Sequence, residues 1–123
     1  LNTEIAKFML ESHGMVVDCA MDGEEAVKRF EKSAQGYYDV IFMDIMMPKM
    51  NGWDAARKIR AMNRPDAESI PIIAMSANAF AEDVINSHIS GMNAHLSKPL
   101  EDDRILEALQ KCLKKKAVQN GTA

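Results

Sequence analysis

Three short apolar runs along the chain each lead to a polar residue. Asp44 follows Val40, Ile41, Phe42 and Met43; Ser76 follows Ile72, Ile73, Ala74 and Met75; Lys98 follows Ala94, His95, Leu96 and Ser97. A helical pattern precedes each run, so the chain reads as a repeating strand–helix unit. The unbroken apolar character of residues 38–44 predicts a strand buried on both faces, as a parallel sheet requires.

The periodicity extends this reading to the whole chain. Ile5, Phe8 and Met9 recur at helical spacing over residues 3–12, and Gly14 is the stop signal. Residues 15–20 are short and β-prone, which predicts a strand. A helix begins at Gly23 with Ala26, Val27 and Phe30 facing inward. Residues 48–52 read as a turn and residues 53–62 as a helix burying Trp53, Ala56 and Ile59. Arg64, Pro65 and Asp66 break that helix, and Pro71 fits only the start of the next strand. Residues 79–92 are helical, with Phe80, Val84, Ile85 and Ile89 on one side. A strand over 94–97 follows, then a last helix from Asp102 or Asp103 with Ile105, Leu106, Leu109, Cys112 and Leu113 as its stripe. Residues 118–123 read as a loose tail. The order α-β-α-β-α-β-α-β-α defines an α/β fold, and its opening on a helix predicts a further strand in front.

Composition narrows the function classes. A chain of 123 residues suits one domain with a modest core. Its formal charge of −3 gives no electrostatic case for nucleic acid or a membrane surface as the main partner. Lys111 and Lys114 to Lys116 form a basic cluster at a helix end, where cations oppose the dipole favourably. No apolar stretch approaches the ~20 residues of a membrane span, and no signal peptide opens the chain. Cys19 and Cys112 are read as reduced, buried thiols of a cytoplasmic protein. His13, His88 and His95 lack metal-ligand spacing. The ten methionines are mostly core filler, except Met46 and Met47 beside Asp44.

In open parallel sheets, ligands bind at the carboxyl ends of the strands. Taken singly, Asp44 suits a turn cap, Ser76 a helix N-cap in competition with Asn78, and Lys98 a solvated lysine. Those separate roles would have to coincide at three strand ends. One carboxylate, one hydroxyl and one ammonium converging there suit the capture of a phosphoryl group.

The segments DVIFMDIMMPKMNGWD around Asp44, PIIAMSANAF around Ser76 and GMNAHLSKPL around Lys98 agree in order and spacing with a known family. Over residues 1–116 the chain resembles the receiver domains of two-component response regulators, most of all those of hybrid sensor histidine kinases. Residues 117–123 form a tail or linker in this division. The resemblance implies a flavodoxin-like fold, with a parallel sheet of order 2-1-3-4-5 and helices on both faces. It implies Asp44 as phosphoacceptor, a carboxylate nucleophile toward phosphorus, with Ser76 and Lys98 contacting the equatorial oxygens. Met46, Ala77 and Pro99 become neighbours of the phosphate. Ala77 leaves room for a donor imidazole, and Pro99 makes residues 97–99 a candidate cis turn aiming Lys98 inward. Gly52 answers a tight loop requirement. Ser76 and His95 become the switch pair.

The same resemblance implies Mg²⁺, bound by the phosphoacceptor, the Met46 backbone carbonyl and an acidic pair ending the family's first, central strand. Neither that strand nor the pair is found in this chain. Glu4 and Asp18 are poor substitutes. Weak or absent Mg²⁺ binding and phosphorylation are therefore expected of these residues alone, as is a dimer, a strand-swapped assembly or a piece supplied elsewhere. The simplest explanation is a trimmed portion of a longer protein, and no part of the tail reads as a relocated strand. The implied partners are a histidine kinase or histidine phosphotransfer domain, and a downstream protein. The latter would meet the surface formed by helix 79–92, strand 94–97 and the final helix.

Two other classes compete. A pseudo-receiver would bind a partner without phosphate chemistry, which the lack of an acidic pair favours. A haloacid-dehalogenase-like phosphatase also uses Asp, Ser/Thr and Lys at strand ends, but needs a second carboxylate where this chain has Met46. The sequence reading is therefore of a regulatory phosphoacceptor and not an enzyme.

Overall fold

A computed structural model describes residues 2–46, 49–77 and 81–121 of the chain. The elements are α1 (Asn2–Ser12), α2 (Gly23–Lys32), β1 (Ile41–Asp44), α3 (Gly52–Arg60), α4 (Pro65–Ser69), β2 (Ile72–Ser76), α5 (Ala81–Ile89), β3 (Ala94–Ser97) and α6 (Asp102–Gly121). The strands form a parallel sheet of order β1-β2-β3. The readings made for Met47, Pro48, Asn78, Ala79 and Phe80 lie outside the described residues, as do those for the side chains of Glu4, Ile5 and Lys114 to Lys116.

β2 explains why the apolar runs are unbroken. All five of its residues are buried, and they feed two different cores. Ile72 and Ala74 pack with Phe30, Met43, Ala56 and Ile59, on the side of α2 and α3. Ile73 and Met75 pack with Leu10, Leu96, Ile105 and Leu109, on the side of α1 and α6. Successive strand residues point to opposite faces, so a strand covered on both sides must be apolar throughout. The helices begin on identifiable caps: Asp22 accepts from the Glu25 amide at 2.8 Å, and Asn51 accepts from the Asp54 amide at 2.9 Å.

Several expectations are corrected. Residues 15–20 are not a strand: Met15 and Val17 pack against the α1/α6 core, but no ladder partner lies beside them among the described residues. Apolar alternation is present, and the backbone bonds that define a strand are not. β1 begins at Ile41 and not at residue 38. Residues 65–69 form a short helix, with Pro65 in the first turn where its missing N–H costs nothing. Pro71 lies just ahead of β2, and its carbonyl accepts from Ile41 N at 2.9 Å. The apolar side of α5 faces outward, Ile85 and Ile89 being 57% and 67% exposed, whereas Ser87 and Ser90 are buried. On α1, Phe8 is exposed and Ala6 and Leu10 are buried. Trp53 is only half-buried. Cys112 is buried as expected, whereas Cys19 is only half-buried. The last helix continues to Gly121, where a loose tail was expected, because residues 104–120 contain no proline or glycine to end it.

Candidate functional site

The carboxyl ends of the three strands hold the predicted side chains. Asp44 closes β1, Ser76 closes β2, and Lys98 follows the last residue of β3. Register brings them together: Asp44 lies beside Met75, the residue before Ser76, and Ser76 lies beside Ser97. The Lys98 amide donates to the Ser76 carbonyl at 2.7 Å, which ties the third strand end to the second.

Asp44 and Lys98 meet directly. Lys98 Nζ lies 2.5 Å from Asp44 Oδ2, with the two side chains 18% and 24% exposed, so the pair is sheltered yet reachable from solvent. The other carboxylate oxygen, Oδ1, accepts from the Met46 amide at 3.2 Å. A carboxylate with an ammonium on one oxygen and a backbone N–H on the other is held in one orientation. The cis peptide bond is Lys98–Pro99, in the turn where one was expected. Ser76 Oγ and His95 Nε2 are 3.0 Å apart, so the hydroxyl beside the acid is linked to a ring within β3. Ala77, Pro99 and the Met46 side chain are exposed at this end of the sheet.

The loop after Asp44 is shaped by Gly52. Its amide donates to the Ile45 carbonyl at 2.9 Å, and a Cβ there would stand 2.4 Å from the Asp44 carbonyl oxygen and 2.9 Å from Ile45 Cα. Glycine is required by this close approach and not by an unusual φ. Lys49 in the same loop has φ +65°, and its Nζ lies 3.9 Å from Asp22 Oδ2. Neither feature was legible in the sequence. Asp18 accepts from the Tyr38 hydroxyl at 3.1 Å and so has a role away from Asp44.

The residues described do not by themselves make a divalent-cation site. Among them no group of three or more His, Cys, Asp or Glu stands close enough to hold a metal ion, and the Asp44 carboxylate is already on Lys98. No described helix is long and apolar enough to cross a membrane.

A parallel sheet covered by helices, with an acid, a hydroxyl and an ammonium at its strand ends, defines a class of α/β protein with a polar site at that edge. Residues 1–110 match the response regulator receiver domain family, and the chain belongs to it. It is thus a regulatory module of the two-component phosphorelay kind. The chain is 36% identical over 124 residues to hybrid signal transduction histidine kinase L of Dictyostelium discoideum, covering 100% of this chain and 7% of that protein. It is 38% identical over 116 residues to probable histidine kinase 2 of Oryza sativa, covering 85% of this chain and 11% of that one. The chain therefore spans a small part of the curated relatives it matches. Among solved structures, the receiver domain of sensor histidine kinase PA1611 from Pseudomonas aeruginosa superposes with a TM-score of 0.81 at 35% identity. That match covers 92% of this chain and 88% of the other, whose active site cleft coordinates a magnesium ion. The chemotaxis protein CheY4 of Vibrio cholerae superposes with a TM-score of 0.79 at 25% identity, over 89% and 88% of the two chains. These likenesses bear out the flavodoxin-like fold.

Proposed function

We propose that Asp44 is a phosphoacceptor that takes a phosphoryl group from a phosphohistidine on a kinase or phosphotransfer domain. The observation that carries this reading is the Asp44–Lys98 contact across the carboxyl edge of the sheet, with Ser76 on the strand between them. A carboxylate oxygen attacks phosphorus, the P–N bond to the donor imidazole breaks, and an acyl phosphate forms on Asp44. Phosphoryl transfer asks the protein mainly for positioning and charge compensation. Lys98 moves from the carboxylate to a phosphate oxygen, and the Met46 amide, already on Asp44, and the Ser76 hydroxyl, at the end of the neighbouring strand, contribute donors.

Because Ser76 is bonded to His95, movement of the hydroxyl toward the phosphate changes the seat of that ring in β3. The readout is a shift between two populations of the α5–β3–α6 surface, which binds a downstream protein. The module is regulatory, acts in the cytoplasm, and needs neither nucleic acid nor membrane. In this division residues 1–116 form the receiver and residues 117–123 a connection, the last helix running on to Gly121.

With Asp44 as the one carboxylate at the site among the described residues, Mg²⁺ is held weakly and the yield of acyl phosphate on these residues alone is low. A phosphorylated histidine donor, or acetyl phosphate with Mg²⁺, labels the chain with hydroxylamine-sensitive phosphate. Asp44→Asn abolishes the label. Label retained by Asp44→Asn removes Asp44 from this role. No label on the unaltered chain, with a partner still bound, supports the pseudo-receiver reading, which the shortage of carboxylates around Asp44 among the described residues favours.

A further inference from the structure

We infer that Trp53 is a positioning residue: its hydrogen bond to Ser87 makes α5 follow the loop after Asp44, a second route from the acid beside that through Ser76 and His95. The role rests on the phosphoacceptor reading of Asp44 for what moves the loop, whereas the link itself is present without phosphate.

The link begins at the acid's own main chain. Gly52 N donates to Ile45 O at 2.9 Å, and Gly52 lies so near that a Cβ on it would stand 2.4 Å from Asp44 O. Groups packed this closely do not move independently. Gly52 is also the first residue of α3, so a displacement at Asp44 passes into that helix. The next residue reaches across to α5: Trp53 Nε1 donates to Ser87 Oγ at 3.0 Å. Ser87 is 2% exposed, so parting the two would leave a buried hydroxyl without its partner.

The far end of the link falls where it can steer a surface. At ~100° per residue, Ser87 stands across the helix from Ile85 and Ile89, whose side chains are exposed. A pull on Ser87 therefore re-aims the apolar side of α5. At the other end of α3, Arg60 donates to Gly91 O through Nε at 2.9 Å and Nη2 at 2.8 Å. α3 thus grips the end of α5 twice, and the Trp53 grip is the one that adjoins the Asp44 loop. Ser90 is as buried as Ser87, but its hydroxyl donates to Asn86 O within its own helical turn. It makes a matched control.

The test compares Ser87→Ala and Trp53→Phe with Ser90→Ala in the full chain by NMR. Trp53 is the one tryptophan of the chain, so its indole N–H resonance is unambiguous. That resonance moves upfield in Ser87→Ala, as a donor freed of its acceptor does, and stays in place in Ser90→Ala. Amide exchange at Gly52 speeds at least about threefold relative to Ile73 in Ser87→Ala and in Trp53→Phe, and not in Ser90→Ala. A general loss of stability would speed Gly52 and Ile73 alike. The double variant adds nothing to the stronger single one, since both remove the same interaction. After treatment with acetyl phosphate and Mg²⁺, the Ile89 amide resonance shifts in the labelled unaltered chain and less than about half as far in labelled Ser87→Ala. Gly52 exchange that merely tracks Ile73, or an equal effect of Ser90→Ala, overturns the link. So does an Ile89 response undiminished in labelled Ser87→Ala. No label on the unaltered chain, with Gly52 exchange still answering to Ser87, overturns the phosphoacceptor reading and leaves the link standing.

Discussion

Gly52 has no room for a side chain, and the atoms that exclude one belong to the backbone of Asp44 and Ile45. Gly52→Ala displaces the acid's own main chain and lowers stability by about 2 kcal/mol, measurable by urea unfolding. Asp66 is a second residue whose surroundings decide its behaviour. Arg64 donates to both of its carboxylate oxygens, at 2.6 and 2.7 Å, and Gly36 N donates to Oδ2 at 2.9 Å. Those bonds, the Arg64 side chain's first, hold its pKa at about 2, below the usual 3.8. The folded-state value lies under the unfolded one, so the stabilisation is complete above pH 3.8 and is lost as pH falls through about 2. Asp66→Asn should cost about 2 kcal/mol at neutral pH, and its stability should change less than wild type between those two pH values. Unfolding curves across the acid range check both. Arg64 also bonds the carbonyls of Phe30 and Ser33 and sits over the Phe30 ring, so one ion pair anchors the end of α2. The sequence marked Arg64, Pro65 and Asp66 only as a break, because nothing local shows that a turn will cap a helix thirty residues away.

At the scale of elements, α5 separates periodicity from burial. Val84, Ile85 and Ile89 recur as a helix stripe does, yet they face solvent, and the buried side chains among the described ones here are Ser87 on the helix and Ser90 just beyond its end. Ser87 Oγ accepts from Trp53 Nε1 at 3.0 Å, and Ser90 Oγ donates to Asn86 O at 2.7 Å. Small hydroxylated residues let α5 approach its neighbours and satisfy their own polar atoms. Ile89→Ser should change stability by no more than about 0.5 kcal/mol, whereas Ile59→Ala, from a fully buried site on α3, should cost about 3 kcal/mol. Chemical denaturation of the two variants decides whether the stripe is surface or core. The proposed downstream partner would cover this side of α5. The helices with named caps, α2 and α3, were legible in position because Asp22 and Asn51 cap by local hydrogen bonds. Which face of a helix turns inward depends on what lies across from it.

For the whole molecule, β2 is the inner strand of the described sheet, flanked by β1 and β3. Amide exchange should therefore be slowest in β2, at Ile73 and Met75; native-state exchange measured by NMR checks this. The alternation of apolar runs with helical stripes, the polar residue at each strand end, and hence the parallel α/β class and the position of Asp44, Ser76 and Lys98, were determined by the sequence. They follow from side-chain periods of 2 and 3.6 residues and from unbroken apolar runs, all properties of neighbours along the chain. The Asp44–Lys98 ion pair, the Ser76–His95 bond and the backbone crowding that requires Gly52 were decided by the tertiary structure alone. Residues 15–20 show why: a strand exists only when a second backbone supplies its hydrogen bonds, and that partner is set by the fold's packing across space.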